Sequence, residues 1–571
     1  MSQEFSRRNF LKGATLTALS AGTLGAMIGC SPKAGGSSSD ANTAVAAQTS
    51  ATDWLGNAPK IEESKITETI ETEVLVVGCG TAGWPACISA AENGAKVLVI
   101  ERLEEPSGPK EDIGAIDSAL QKASFEQFPE FKIDKMEAMH DIVRYANGFI
   151  NYDLVKLWAD ESGATVDWIT DIISKDGKMK MNFEGGIGTI DPKSAERAWA
   201  TGHSPASLVD DKAVTFLSQF QKYADTLGVQ FRCKTELVCL EQDETGRVGG
   251  IIARDVASGN YLRIKASNGV IVATGGYSSS PEMMAALQPE ILKSRIACSK
   301  GSPDTGEGIK AALWLGAQKD PIGTSILFNR ACCKPDATAG DGTVGEWFWF
   351  GEQPFLKLNL KGERFCNESG PYDYMLHSAH MQPMHTYIDV WDANYAEQVK
   401  QMNEVGCCRL FPFDNGAPNN IPLKVVEGMN AKLLEQGYIQ QADTIEELAE
   451  KLNIPAEAAA ASVARYNENA AAGIDADYGK ESYRLLALNT PPYYGVRTGA
   501  WHLATFDGIQ INSNMHPVKE DGTVIDGLYM VGDCSGGFFC LSYPNLFTGL
   551  ACGRSMTFGL HAGKLAATKT A

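Results

Sequence analysis

Val74-Leu75-Val76-Val77-Gly78-Cys79-Gly80-Thr81-Ala82-Gly83 is the stretch that decides the fold. Its first four residues form a continuous apolar run of strand length, as expected of a parallel strand buried on both faces. A glycine turn follows, and then a helical pattern that extends to about Asn93. A second apolar run, Val97-Leu98-Val99-Ile100, ends at Glu101. This order of strand, glycine turn, helix and strand predicts a βαβ unit that binds a dinucleotide.

Each part of this unit has a chemical role. Gly78 permits the tight turn, Gly80 lets the backbone approach a pyrophosphate, and Gly83 lets the helix pack closely. The positive N-terminus of the helix attracts the phosphates. Glu101 stands twenty-one residues beyond Gly80, where a carboxylate accepts hydrogen bonds from the adenosine ribose hydroxyls. A glycine turn alone is a weak signal, but this turn has the strand, the helix and the acid in place.

Two distant segments favour a flavin over a nicotinamide. The apolar run 269–273 predicts another buried strand, which ends in Thr274-Gly275-Gly276. The run 527–531 predicts a last parallel strand, and Gly532-Asp533 after it offers a carboxylate to a ribityl or ribose chain. A final helix, predicted from about Leu546 to Ala566, would point its positive end at the isoalloxazine ring. We therefore expect FAD.

The N-terminus predicts export. Ser6-Arg7-Arg8-Asn9-Phe10-Leu11-Lys12 has the twin-arginine pattern, and the weakly apolar stretch after it is too short to stay in a membrane. Met27-Ile28-Gly29-Cys30 resembles a lipoprotein cleavage site with Cys30 as the lipidated residue. We expect a signal at residues 1–30, a flexible linker at 31–70, and a location in the periplasm or on the outer face of the cytoplasmic membrane.

Length and composition bound the remaining possibilities. A chain of 571 residues is too long for a single hydrophobic core of ordinary size, so two or more lobes are expected. The net charge of -20 argues against nucleic acid and anionic membranes as partners. The 14 cysteines include no Cys-x-x-Cys and therefore no site for covalent c-type haem. Buried free thiols are expected, and an iron–sulfur cluster built from distant cysteines stays open. The 8 histidines show no metal-binding spacing, so no metal site is predicted.

Five stretches together resemble the fumarate reductase/succinate dehydrogenase flavoprotein superfamily, from roughly Glu71 to Ala567. They are the glycine turn at 76–83, Val272–Gly276, Thr305-Gly306-Glu307-Gly308, Gly362–Glu368 and Gly527–Asp533. The resemblance implies an α/β fold in which an FAD-binding, Rossmann-like domain is interrupted by an inserted α+β capping domain. We expect the FAD-binding domain at residues 71–310 and 501–571, and the capping domain at 311–500.

The resemblance also implies hydride transfer between the flavin and a carbon–carbon bond next to a carbonyl group. The FAD-binding set that we predict combines the glycine turn with residues from six later segments. It consists of Gly78, Gly80, Thr81, Ala82, Gly83, Glu101, Arg102, Gly114, Ala115, Ala273, Thr274, Gly275, Gly276, Glu307, Asp533, Asn545 and Leu546.

The substrate residues depart from those of the fumarate-reducing members. Tyr372 stands where those enzymes have a proton-delivering Arg, and Ala504 stands in place of a His. Their carboxylate-gripping C-terminal Arg is replaced near Ser542-Tyr543-Pro544-Asn545. The Asn-Glu-x-x-Pro-Tyr pattern that ends at Tyr372, and the later Tyr-Pro, resemble instead the 3-ketosteroid dehydrogenase branch.

In that branch the first Tyr handles the proton, and the second Tyr and a backbone N–H hold the ketone oxygen. The resemblance therefore implies Tyr372 as the proton donor, and Tyr543 with the N–H of Phe547 as the carbonyl-binding pair. The branch has Gly where this chain has Phe547. Export and the Ser-Tyr-Pro-Asn-Leu sequence also resemble flavin-dependent reductases of anaerobic gut bacteria. For both tyrosines, a plain core aromatic is the alternative.

These observations predict an exported FAD-dependent reductase of a small-molecule enone, enoate or aryl-alkene. Electrons would come from outside the chain, from a membrane or exported cytochrome. A 3-ketosteroid-type dehydrogenase running the reverse reaction and a non-catalytic flavin electron-transfer protein remain alternatives. A bulky, uncharged acceptor is expected rather than fumarate, although Arg330, Arg409 or Arg497 could still fold into the site. Trp347-Phe348-Trp349-Phe350 could line an apolar pocket or pack in the core.

Overall fold

The computed structural model describes residues 54–129, 132–184, 199–298, 303–340, 342–402, 409–410 and 420–568. The predicted signal, Cys30 and residues 31–53 of the predicted linker lie outside this described part. Within it, no helix combines the length and apolar character that a membrane crossing requires.

Helices and strands are mixed along the chain. The strands are β1 Ile66–Val77, β2 Val97–Ile100, β3 Ile113–Gly114, β4 Met179–Phe183, β5 Gly202–Ser207, β6 Gln230–Arg232, β7 Thr235–Gln242, β8 Val248–Asp255, β9 Tyr261–Val272, β10 Arg295–Cys298, β11 Ser325–Cys333, β12 Glu346–Trp347, β13 Leu356–Leu358, β14 Tyr387–Asp392, β15 Arg409–Leu410, β16 Asn420–Ile421, β17 Ile439–Ala442, β18 Tyr493–Thr505 and β19 Leu528–Met530. The helices are α1 Gly83–Glu92, α2 Ala119–Gln127, α3 Lys135–Tyr145, α4 Tyr152–Ser174, α5 Phe216–Thr226, α6 Pro281–Leu287, α7 Pro289–Ser294, α8 Glu307–Trp314, α9 Tyr372–His380, α10 Tyr395–Gln398, α11 Leu423–Glu435, α12 Ile445–Lys451, α13 Ala456–Ala472 and α14 Leu550–Thr568.

The predicted dinucleotide unit forms the centre of a seven-stranded sheet. Its order is β6-β2-β1-β9-β8-β7, with β19 added beside β9. Strands β6, β2, β1, β9 and β19 are parallel, whereas β8 pairs antiparallel with both of its neighbours. The apolar run of β1 is buried, as its sequence predicts. The carboxyl ends of the parallel strands therefore meet at one edge, where α/β sheets bind ligands. We call the part of the chain built on this sheet the first lobe.

The last helix closes the first lobe by direct backbone contact. A Cβ atom on Gly559 of α14 would lie 2.2 Å from the carbonyl oxygen of Ala82, and one on Gly563 would lie 2.3 Å from that of Ala86. Side chains at these two positions would hold α14 away from α1. Glycine thus lets the C-terminal helix lie against the helix that opens the dinucleotide unit.

A second seven-stranded sheet forms the second lobe. Its order is β12-β11-β18-β14-β13, with β10 and β17 also paired to β18. The 13-residue strand β18 is its centre and pairs antiparallel with β11, β14 and β17. The aromatic run at 347–350 contributes to the core here, since Phe348 and Phe350 are 0% exposed and pack against Trp391.

The chain crosses between the lobes earlier than the sequence predicts. Strand β10 already pairs with β18 of the second sheet, and α8 then packs on β7 of the first. The predicted division at residues 310 and 311 therefore falls inside α8. On the return, β18 continues to Thr505, beyond the predicted boundary at 501. Pairing partners more than a hundred residues away decide these boundaries, so local pattern does not reveal them.

The region from Asp153 to Gly228 has a helical sequence period, but its described residues are not helical throughout. Helices α4 and α5 lie in it, but β4 and β5 pair antiparallel between them, and β3 joins β5. Met179 and Met181 of β4 are buried and Lys180 between them is exposed, which is a strand alternation. A strand of five residues is too short to stand out from the surrounding helical period.

Candidate active site

The three glycines of the turn after β1 meet different surroundings. Gly78 has φ +92°, and a Cβ atom there would lie 2.6 Å from the carbonyl oxygen of Ala273. A Cβ atom on Gly83 would lie 2.1 Å from the carbonyl oxygen of Gly78. At Gly80, by contrast, the nearest atom is Ser107 Oγ at 3.6 Å. The fold itself thus requires Gly78 and Gly83, whereas Gly80 borders space that a phosphate group can approach.

Glu101 ends β2 beside this turn and is 6% exposed. Its Oε2 accepts the N–H of Cys79 (2.9 Å), and its Oε1 accepts the N–H of Leu103 (3.0 Å). Each carboxylate oxygen has a second lone pair, so the side chain is fixed in place and can still accept a ribose hydroxyl. The neighbouring Arg102 is engaged elsewhere, because its Nη1 donates to Thr305 Oγ1 at 2.7 Å.

The segment after β9 reaches the same edge of the sheet. The N–H of Ala273 donates to the carbonyl of Val77 (2.8 Å) and joins the two strand ends. Gly275 has φ +74°, and a Cβ atom there would lie 2.4 Å from Asp304 Oδ1. Gly276 leaves room for Thr505, and Thr274 borders Gly308 of α8. The predicted residues at 273–276 therefore join the glycine turn.

Three other predicted residues lie in the glycine turn or at the start of α8. Thr81 Oγ1 accepts the N–H of Lys110 (3.2 Å), and Ala82 precedes α1. Glu307 opens α8, accepts a hydrogen bond from Thr305, and burial raises its pKa.

Gly114 contacts the start of the last helix, and Ala115 is bonded to the residue before β5. The N–H of Gly114 donates to the carbonyl of Gly549 (2.8 Å), and the N–H of Ala115 donates to that of Thr201 (2.9 Å). A Cβ atom on Gly553 would lie 1.8 Å from the carbonyl oxygen of Gly114. The structure thus shows these two predicted cofactor residues engaged within the protein.

The last helix begins later than predicted. The sequence predicts a start near Leu546, whereas α14 begins at Leu550. Gly549 has φ +75°, a left-handed conformation that separates the preceding turn from the helix. The carbonyl of Leu546 accepts the N–H of Trp199 (2.7 Å) in this turn. The N–H of Phe547 donates to the carbonyl of Pro544 (3.1 Å), so it is already engaged and does not fit the carbonyl-binding role predicted for it.

The residues at this edge fit a dinucleotide with a flavin ring. Asn545 is 0% exposed, and its Nδ2 has no hydrogen-bond partner among the described residues. A buried amide donor without a partner is costly, and a bound polar group would satisfy it. Together with the open side of Gly80 and the carboxylates of Glu101 and Asp533, it would offer a bound dinucleotide both donors and acceptors.

The two predicted catalytic tyrosines lie in different lobes. Tyr372 is the first residue of α9, is 4% exposed, and meets the ring of Phe328 edge-on with centroids 5.4 Å apart. Tyr543 is 3% exposed between Phe506 and Phe539, and its hydroxyl oxygen accepts the N–H of Ala551 (3.2 Å). Each side chain belongs to a separate hydrophobic cluster.

A contact between the lobes brings these tyrosines' segments together. Tyr145 at the end of α3 stacks on Tyr374 of α9, with ring centroids 4.9 Å apart and 23° between the planes. The Tyr145 hydroxyl donates to Asn545 Oδ1 (3.4 Å), and its carbonyl accepts from Ser542 Oγ (3.4 Å). The helix that starts with Tyr372 is thus linked to the turn that carries Tyr543. The sequence analysis missed Tyr145 and Tyr374, because only the fold brings them together.

A histidine lies near the place where the sequence analysis found none. Ala504 lies on β18, and His502 lies two residues earlier on the same strand. His502 is fully buried, and its Nε2 shares a hydrogen bond with Ser325 Oγ (3.0 Å). Burial lowers the pKa of His502 to about 3, so the imidazole is neutral at physiological pH. The register of β11 against β18 shifts between Ala504 and His502, so strand periodicity alone does not place the two side chains on one face.

Two of the arginines considered in the sequence analysis are engaged with the protein. Arg330 is 3% exposed, pairs with Glu352, and stacks on Phe328 and Trp349. Arg497 donates to Thr386 Oγ1 (2.9 Å) and to two backbone carbonyls. The side chain of Arg409 lies outside the described residues. The positive charge of Arg330, one ring away from Tyr372, is therefore balanced by a buried carboxylate.

The described part of the chain contains free thiols. The eleven described cysteines are free, and Cys30, Cys407 and Cys408 lie outside this part. No group of three or more His, Cys, Asp or Glu residues suited to a metal ion occurs among the residues described.

Known proteins resemble this chain over most of its length. A family model described as FAD binding domain, FAD_binding_2, matches residues 73–544. A vinyl phenol reductase of Lactiplantibacillus plantarum is 26% identical over 504 residues, which are 87% of this chain and 97% of that protein. A digoxin reductase of Eggerthella lenta is 24% identical over 570 residues, 93% of this chain and 91% of that protein. The open conformation of a flavocytochrome c3 fumarate reductase superposes with a TM-score of 0.62 at 22% identity, over 88% of this chain and 79% of the other.

Proposed function

Because this chain belongs to the FAD-binding domain family, we propose that it is an exported reductase that adds hydrogen across an activated carbon–carbon double bond. It is an FAD-dependent oxidoreductase acting on such bonds, and its relatives include reductases with this chemistry. The predicted superfamily and the α/β fold are confirmed. The substrate that we propose is an enone, enoate or aryl-alkene.

The first lobe supplies the groups that would hold FAD. The turn at Gly80 would receive the pyrophosphate, Glu101 the adenosine ribose, and Asp533 the ribityl chain. Asn545 would donate its unpartnered amide. When bound and reduced, FAD supplies the hydride for the reaction.

Tyr372 is the proposed proton donor. A phenol keeps its proton at neutral pH and can give it to a carbon centre that has become basic. Tyr372 is buried, and the edge of Phe328 limits its ring on one side. Burial and this ring contact limit the motion of the Tyr372 side chain. The link between Tyr374 on the same helix and Tyr145 carries this assignment, because it brings α9 to the first lobe.

Tyr543 would polarise the acceptor group of the substrate. Its oxygen accepts the N–H of Ala551, and a phenol O–H is a donor suited to a carbonyl oxygen. Accepting one hydrogen bond strengthens a hydroxyl as a donor. A donor directed at the oxygen where negative charge develops lowers the barrier. The two phenols would thus act at opposite ends of a conjugated system.

The charges around the site favour an uncharged acceptor. A dicarboxylate needs cationic partners, because an unpaired buried carboxylate costs several kcal/mol. Arg330 is paired with Glu352, and Arg497 is bonded to the second lobe. Tyr372 and Tyr543 occupy the places where fumarate-reducing members carry arginine. Fumarate is therefore expected to be a poor substrate.

The source of electrons and the location are inferred from the sequence. The twin-arginine pattern at Arg7-Arg8 supports export, and Cys30 would attach the protein to the membrane by a lipid. A membrane or exported cytochrome is then the donor that we propose.

Turnover driven by reduced viologen tests the proposal. Enones, enoates and aryl-alkenes would be supplied to the purified protein beside fumarate, and viologen oxidation would be followed by absorbance. We expect turnover with at least one bulky acceptor and little with fumarate. Fast fumarate reduction at micromolar concentrations would contradict the assignment of the pocket. Flavin that is not reoxidised by any acceptor would favour an electron-transfer protein, and faster dehydrogenation of 3-ketosteroids would favour the reverse reaction.

A further inference from the structure

The last helix carries a buried charge that the sequence analysis did not identify. Arg554 of α14 is 0% exposed. Its guanidinium carbon lies 5.2 Å from the ring centre of Phe539 and 5.9 Å from those of Phe538 and Phe558. A cation taken out of water needs a counter-charge and hydrogen bonds. The structure supplies both from one short segment that starts at Asp533.

The contacts of Arg554 fix this segment from one side. Its Nη2 donates to Asp533 Oδ1 (3.0 Å), and its Nη1 donates to the carbonyl oxygen (3.2 Å) and to Oγ (3.3 Å) of Ser535. Asp320 holds the segment from another side, since its Oδ2 accepts the N–H of Gly537 (2.8 Å). A Cβ atom on Gly536 would lie 2.3 Å from that oxygen. Residues 533–537 are thus held between a guanidinium and a carboxylate.

This segment lies at the edge of the sheet where FAD binds. It follows β19, and a Cβ atom on Gly532 would lie 3.0 Å from the Cβ of Ala82 in the glycine turn. The side chain of Asp533 is 28% exposed, whereas that of Arg554 is 0% exposed. Asp533 is therefore the member of the pair that can contact a ligand, and Arg554 lies behind it.

We propose that Arg554 is a positioning residue for the FAD site: it keeps Asp533 ionised and oriented, and so sets the pH range over which the chain retains FAD. The reason is electrostatic. Burial raises the pKa of Asp533 to about 6, and the charge of Arg554 opposes this rise. Without the guanidinium, the carboxyl would take up a proton at higher pH. A protonated carboxyl has lost acceptor capacity for the ribityl or ribose hydroxyls.

The other ionisable groups around this pair act in both directions. Lys110, after β2, favours the ionised form of Asp533, whereas Asp304, before α8, disfavours it. Asp320 faces Arg554, and burial raises the pKa of Asp320 to about 6. The thiols of Cys534 and Cys552 are neutral, because burial raises their pKa. Arg554 exerts the largest of these charge effects on Asp533 and is the residue to change.

The experiment compares FAD binding by Arg554→Met and by the wild-type protein. Apoprotein would be titrated with FAD between pH 5 and pH 9, and the dissociation constant read from quenching of flavin fluorescence. The wild-type protein should bind more weakly only below about pH 6. The variant should weaken at higher pH, by about tenfold or more at pH 7, with a smaller difference at pH 9. Arg484→Met, which removes an arginine only 2% exposed in the second lobe, should leave the pH profile unchanged.

Three further variants keep the test decisive if Arg554→Met does not fold. Asp533→Asn should bind FAD more weakly at pH 7 and lose the titration. Asp533→Asn/Arg554→Met removes both partners of the buried pair, which is tolerated better than removing one, and should give an equally flat profile. Arg554→Lys keeps the charge and should keep the wild-type pH midpoint. The proposal is wrong if Arg554→Met shares the wild-type profile, if Asp533→Asn binds FAD as the wild-type protein does at pH 7, or if the double variant still titrates.

Discussion

Tyr145 and Tyr374 stack across the two lobes, with ring centroids 4.9 Å apart and 23° between the ring planes. Tyr145 is 8% exposed, and Tyr374 is 41% exposed. The pair is the stacking contact that joins α3 of the first lobe to α9, the helix that begins with Tyr372. The position of Tyr372, the proposed acid, therefore depends on how the second lobe packs against the first.

Loss of this stack should reduce turnover while FAD stays bound. Tyr374→Ala removes the ring, and an acid displaced by about 1 Å can cost up to about 10²-fold in rate. Tyr374→Phe keeps the stacked ring and should stay within about threefold of the wild-type rate. The measurement is viologen-linked turnover at matched FAD content. Equal rates for Ala and Phe at this position would show that the stack does not position α9.

Tyr372→Phe should keep the flavin spectrum and lose about 10² to 10⁴ in rate, the usual contribution of a positioned acid. The ring remains and keeps its contact with Phe328, so the packing of α9 should not change. Tyr374→Phe, which removes a phenol from the same helix, is the matched control. A loss of less than tenfold would mean that another group or water delivers the proton.

Gly80 and Gly83 should respond differently to the same substitution. Gly80→Val meets only Ser107 Oγ, so the protein should fold and lose FAD. Gly83→Val drives a side chain into the carbonyl oxygen of Gly78, 2.1 Å from its Cβ, and should cost stability, about 1–3 kcal/mol or more. Flavin content and the melting temperature of each purified variant give the comparison. A yellow Gly80→Val protein with normal affinity would exclude the pyrophosphate from this turn.

Reduced viologen should drive turnover, whereas NADH and NADPH should not do so at useful rates. The predicted export places the protein away from the nicotinamide pools of the cytoplasm. Steady-state rates with each donor at equal concentration, and no added partner, provide the measurement. Efficient activity with NADH alone would argue against an external cytochrome as the donor.

The substitution Asp320→Asn should stabilise the folded protein relative to the wild type, and more so as the pH rises. Burial raises the pKa of Asp320 to about 6, so the folded protein binds this proton more tightly than the unfolded chain. The resulting stability is present below about pH 4 and is lost as the pH passes 6, by up to about 3 kcal/mol. Asn does not titrate, and its side-chain oxygen can still accept the N–H of Gly537. Urea unfolding between pH 4 and pH 8 gives the free energy of unfolding of both proteins. The variant's free energy of unfolding should rise relative to that of the wild-type protein as the pH increases. A difference that does not change with pH would refute the expectation.

Much of the candidate FAD site could be predicted because its signals are local. The strand, the glycine turn, the helix and Glu101 occupy about thirty consecutive residues, and each follows from the geometry of a single βαβ unit. The later segments at 273–276 and at Asp533 follow strands that could be recognised from their apolar runs. The predicted helix start near Leu546 was wrong, because the left-handed conformation of Gly549 separates the preceding turn from α14.

The tertiary structure alone decided how these segments meet. Tyr145 reaches Asn545 across 400 positions, and strand β18 collects partners from both sides of α8. The carbonyl-binding role predicted for the N–H of Phe547 does not fit the structure, because this N–H donates to the carbonyl of Pro544.

By itself, the sequence determined the dinucleotide unit, because backbone sterics and apolar periodicity act between near neighbours. It could not reveal that Arg554 lies behind Asp533 or that Tyr374 meets Tyr145. Those contacts depend on how helices pack on a completed sheet, where glycines such as Gly559 allow backbones to touch. Such contacts depend on many residues that are distant in the sequence. A buried charge needs a partner of opposite charge or hydrogen bonds, and a buried ring needs close packing, and only the completed core provides them.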